Sequence, residues 1–150
     1  MKFDPDVYPI LEKISKHSTP EETREYAFLH ALDFFRNKKY FEAHEVWEFQ
    51  WKKETGDCKL FIQSLIQISV AMNKIYVNVN LVGALSQTNL ALEKLKLLEE
   101  NISLPSNAKN FLASTITNLN LLVYLLTNEL EYTTYLPPEF PDDCYLFFIS

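Results

Sequence analysis

His44 and Glu48 are the two residues of this chain whose types and spacing could carry chemistry together. Four positions apart, they lie one turn above the other if the segment is helical. An imidazole beside a carboxylate can bind a cation, move a proton or hold a polar ligand. At roughly 100° per residue, Tyr40, Ala43, Trp47 and Trp51 share one face, and His44 and Glu48 sit on its shoulder. Glu42, Glu45, Lys52 and Lys53 are expected on the opposite, solvent side. That placement removes Glu45 as a partner for His44, although it is the next residue.

The surface facing this helix is expected from the one that follows, which carries a single polar stripe of Gln63, Gln67, Lys74 and Asn78. A turn at Thr55-Gly56-Asp57 makes the pair an antiparallel hairpin. Counting outward from the turn brings Glu48 level with Gln63, and His44 level with Gln67. The candidate ligand-binding residues are therefore His44, Glu48, Trp47, Trp51, Gln63 and Gln67. Three readings compete for them. One is a satisfied polar network that fixes helix packing. Another is a small-ligand pocket lined by indoles. The third is a metal-dependent hydrolase with His44 and Glu48 as metal ligands, but HEVWE lacks the second histidine of an HExxH motif. His17 and His30 are the only other histidines. A structural or ligand-binding role is favoured over catalysis, and no motif implies a cofactor.

Other chemistries are poorly supported. Cys58 and Cys144 are far apart and form no CxxC pair, which argues against a thiolate metal site and a disulfide framework. Cys58 starts a helix, where the dipole could activate a thiol, yet a lone cysteine reads as structural. There is no GxSxG, and two isolated glycines cannot build a phosphate loop. The net charge of −6 and the lack of a basic stripe argue against nucleic acid.

The elements that must position these residues are helices. Only two glycines occur in 150 residues, and no strict apolar/polar alternation stands out. The expected fold is all-α: a compact, irregular bundle of five to six helices with an extended C-terminal tail, in one domain. Helices are expected at about 6–16, from Pro20 to about Asn37, at about 40–53, 59–77 and 81–99, and from Pro105 to near Leu130. Thr19-Pro20-Glu21-Glu22 is a capping-box start. The second helix should bury Tyr26, Leu29 and Phe34, and Leu81, Leu85, Thr88, Leu92 and Leu95 should form a seam on the fifth. Residues 110–128 are uncharged, but Ser114, Thr115, Thr117, Asn118 and Asn120 make a core helix the better reading than a membrane span. The tail, about 131–150, ends in Tyr145-Leu146-Phe147-Phe148-Ile149, too apolar to float free. It is expected to pack on the domain or on a second subunit, so a homodimer through it or the last helix is open. The N-terminus has no signal-peptide pattern, and the expected compartment is the cytoplasm.

The run Tyr40-Phe41-Glu42-Ala43-His44-Glu45-Val46-Trp47-Glu48 with Trp51 resembles the signature of the family of domain of unknown function 309. Two later stretches are also similar to that family, Phe61-Ile62-Gln63-Ser64-Leu65-Ile66-Gln67-Ile68-Ser69-Val70-Ala71 and, with altered spacing, Asn80-Leu81-Val82-Gly83-Ala84. The resemblance spans about residues 28–98. It departs at Arg36 and Lys38, where the family pattern has Asn and Gly, and at Ser64, where it has Gly. It implies a compact helical bundle and singles out His44, Glu48, Trp51 and Gln67, but it implies no particular reaction.

Overall fold

The computed structural model describes residues 3–149. Among them are six α-helices and no strand. These are α1 (Val7–Lys16), α2 (Pro20–Arg36), α3 (Tyr40–Trp51), α4 (Gly56–Tyr76), α5 (Leu81–Glu99) and α6 (Ser106–Thr127), followed by a 3-10 turn at Cys144–Phe148.

Local chemistry explains the ends of these helices. At the start of α2 the Glu22 carboxylate accepts from the Thr19 backbone N–H at 3.1 Å and from its hydroxyl at 2.6 Å. Pro20 takes the first helical position, where its missing N–H costs nothing. The Asn80 side chain caps α5 by accepting from the Gly83 N–H at 3.0 Å. α4 begins at Gly56, before the expected start at residue 59. Gly56 has φ +63°, which glycine adopts freely, so it opens the helix instead of separating it from the turn. α2 closes in a Schellman turn, with the Lys39 N–H donating to Phe34 O at 2.8 Å and the Lys38 N–H to Phe35 O at 3.1 Å. This turn holds Lys38 at φ 62°, left-handed backbone that costs a side-chain-bearing residue roughly 1–2 kcal/mol.

Helices adjacent in sequence pack on one another from α2 through α6, and α1 lies on α2 and α3. α2 buries Thr23, Ala27, Phe28, Ala31, Leu32, Phe34 and Phe35. Of the residues expected inside, Phe34 is buried, Tyr26 is half-buried, and Leu29 faces out at 45% exposure. The α5 seam runs through Ala84, Thr88, Ala91, Leu92, Leu95 and Leu98, while Leu81 in the first turn is exposed and Leu85 half-buried. The uncharged stretch forms α6, which buries Leu112, Thr115, Ile116, Leu119 and Leu122. No helix among the described residues is long and apolar enough to cross a membrane.

The tail packs on its own domain, the first of its two expected destinations. Phe140 lies 5.5 Å from Phe35, Tyr145 4.6 Å from Phe28, and Phe148 4.4 Å from Phe61, between ring centroids. Phe28 also meets Trp47 edge-on at 4.5 Å. One aromatic cluster thus joins α2, α3, α4 and the tail, and each buried ring stabilises it by roughly 1.5–3 kcal/mol. Polar ties hold the path. Arg36 donates to Phe140 O at 2.6 Å and pairs with Asp142. The Tyr76 hydroxyl donates to Tyr135 O at 2.8 Å, and Tyr135 donates to Asn118 Oδ1 at 2.7 Å.

A second device locks α2 to the end of α3. Glu54 is buried, and Arg24 grips its carboxylate through two bonds of 2.9 and 2.7 Å. Gln50, also buried, donates to Glu54 at 2.8 Å and to Pro20 O at 3.0 Å, and accepts from Thr23 Oγ1 at 2.8 Å. Every member is paired, as a buried charge requires. Glu54→Ala strands the Arg24 guanidinium and is expected to cost about 3 kcal/mol in urea unfolding; a loss below about 1 kcal/mol would show the pair is peripheral.

Candidate functional site

The buried face of α3 is centred on Ala43, Val46, Trp47 and Gln50. Gln50 must reach the α2 network, and this rotation sets the rest of the helix. His44, Glu48 and Trp51 fall to one shoulder and are half-buried. Glu42 falls to the other, and contrary to expectation it is buried. The segment before α1 crosses it, and the Asp4 N–H donates to its carboxylate at 2.8 Å.

His44 Nε2 lies 3.2 Å from Glu48 Oε2, so the expected pair forms. The exclusion of Glu45 does not hold: its Oε1 lies 3.6 Å from His44 Nδ1. Both residues sit at the edge of the buried face, where a flexible glutamate side chain can fold back over the neighbouring ring. His44 is therefore flanked by a carboxylate at each nitrogen, with Phe41 beside it at 5.4 Å between centroids. His44, Glu45 and Glu48 can each offer one donor atom within 4.8 Å of the others.

Trp47 is buried against Phe28, whereas Trp51 is half-buried beneath the Lys59 ammonium, 4.6 Å from its ring centroid. Gln63 and Gln67 of α4 are half-buried, and neither hydrogen-bonds to His44 or Glu48 among the described residues. The hairpin therefore forms without closing the expected four-residue network. Instead, His44 Nδ1, Trp47 Nε1, Trp51 Nε1 and Gln67 Oε1 are buried atoms with no hydrogen-bond partner, and Ser69 Oγ is another. Three of these atoms come from one side of α3.

Both cysteines are free and buried. Burial, reinforced by the Glu54 carboxylate, pushes the Cys58 thiol up to about 12, and burial does the same to Cys144. The apolar wall outweighs any help from the start of α4. Native protein at pH 8 is expected to resist iodoacetamide at both positions, with two labels appearing in urea; rapid labelling of Cys58 without urea would mean that the thiol is activated.

The model of the family described as Domain of unknown function (DUF309) matches residues 28–87. The match takes in the second half of α2, all of α3 and α4 and the start of α5, and so contains His44, Glu45, Glu48, both tryptophans and both glutamines. No curated protein and no solved structure matches the chain. In its segment 28–87, then, the chain is similar to the DUF309 family.

Proposed function

We propose that the shoulder of α3, with the facing side of α4, is the recognition site of a small-ligand-binding domain. One observation carries this reading: Trp47 Nε1, Trp51 Nε1 and Gln67 Oε1 are buried without a hydrogen-bond partner among the described residues. A buried polar group left unmade costs about 1–3 kcal/mol, and proteins pair nearly all of them. An indole N–H can only donate, so two of these positions call for a ligand bearing acceptor oxygens. Trp51, half-buried beside this face, offers its ring edge, and Glu45 and Glu48 flank the imidazole.

Trp47 and Trp51 are the only tryptophans, so intrinsic emission reports on this site directly. Titration with a panel of small carboxylates and amides should shift that emission saturably for at least one compound. Trp51→Phe keeps an aromatic side chain, though a smaller one, and removes the N–H. It should leave the melting temperature unchanged or raised, and weaken the ligand by about tenfold, the loss of one hydrogen bond. If Trp51→Phe and His44→Ala instead each destabilise by about 1–3 kcal/mol, the groups are structural and the reading is wrong.

The convergence of His44, Glu45 and Glu48 within 4.8 Å supports a second reading, a metal centre serving hydrolysis. In that arrangement His44 Nε2 and Glu48 would hold the ion, with the Glu45 carboxylate beside Nδ1 to set the ring. Element analysis separates the readings. A stoichiometric transition metal that is lost on His44→Ala selects the metal centre; its absence from protein purified without chelator selects the metal-free ligand site.

A further inference from the structure

The C-terminal end of α2, the first turns of α6 and the proline-rich tail enclose a cleft of about 920 Å³. Its walls are mostly apolar, with Phe35, Phe111, Phe140 and Phe147 among them. This volume lies at the upper end of the range for small-molecule sites, about 300–1,000 Å³. Two cations border it, and they behave differently. Arg36 is engaged, bonded to Phe140 O and Asp142, and so it holds the tail wall in place. Lys38 has no ion pair and no hydrogen bond through its ammonium among the described residues. Its backbone is at φ 62°, where glycine would be relaxed and lysine is strained. The Schellman turn that closes α2 sets this backbone and leaves Lys38 exposed at the rim of the cleft, with its ammonium free to meet an anionic group there. Asn110 and Ser114 of α6 add hydrogen-bonding groups along the wall. Glu139 on the tail side disfavours a multiply charged head.

We propose that this cleft binds a small amphipathic molecule with a single anionic head, such as a medium-chain carboxylate, with its chain on the phenylalanines and its head at Lys38. This site is separate from the α3 shoulder, and either can fail without the other.

The test is calorimetric titration of the full chain with dodecanoate below its micelle concentration, beside dodecanol and dodecyltrimethylammonium. Dodecanoate should bind saturably at one site, with the alcohol at least tenfold weaker and the cation not bound. Lys38→Gly should lose at least tenfold in affinity while melting at the same or a higher temperature, because glycine relieves the backbone. That pairing separates a lost contact from a lost fold. Ser114→Trp, which fills the cleft from an exposed position on α6, should abolish binding. The proposal is overturned if wild-type protein shows no saturable uptake of dodecanoate. It is equally overturned if the alcohol or the cation binds as well as the carboxylate, or if Lys38→Gly or Ser114→Trp binds dodecanoate like wild type.

Discussion

Burial of the Glu54 carboxylate is the constraint on which the rest of this structure depends. A charge removed from water has to be met where it lies, and Arg24 meets it with a two-pronged grip while Gln50 fills a further position. Because Gln50 also reaches Pro20 and Thr23, the start of α2 and the end of α3 hold a single register. The rotation of α3 follows. With Gln50 turned inward, Ala43 and Trp47 enter the aromatic core, and the histidine and its carboxylates are left along the hairpin edge.

The same helix therefore carries two polar clusters built on opposite principles. Around Gln50 and Glu54 each buried group has its partner, which is how a structural network behaves. Beside His44, the indole N–H groups of Trp47 and Trp51 are buried without acceptors among the described residues.

Much of the fold was legible because it is written in local chemistry. The Thr19–Glu22 box, the spacing of Val7, Ile10 and Ile14, and the bounds of α5 need only neighbours in sequence to act. The pairing of His44 with Glu48 was readable for the same reason, being one helical turn. What escaped depends on distant partners. Glu54, Gln50 and Arg24 are types that ordinarily face water, and nothing near them announces that they meet inside. Glu42 is covered by a segment that precedes α1, and Leu29 is displaced because α2 turns its neighbour Phe28 to the core. Glu45 was misjudged because helical angle fixes a Cβ and leaves a three-bond side chain free to fold back.

The tail has a consequence for how this protein is made. Phe28 and Phe61 are synthesised early, yet the rings that cover them, Tyr145 and Phe148, arrive close to a hundred residues later. Until those residues leave the ribosome, α2 to α4 can associate but must present an uncovered aromatic surface. Contacts so distant along the chain form late and slowly, and a half-built core of this kind is prone to stick to other chains. Closure of the aromatic cluster is thus a late event in the life of the nascent chain.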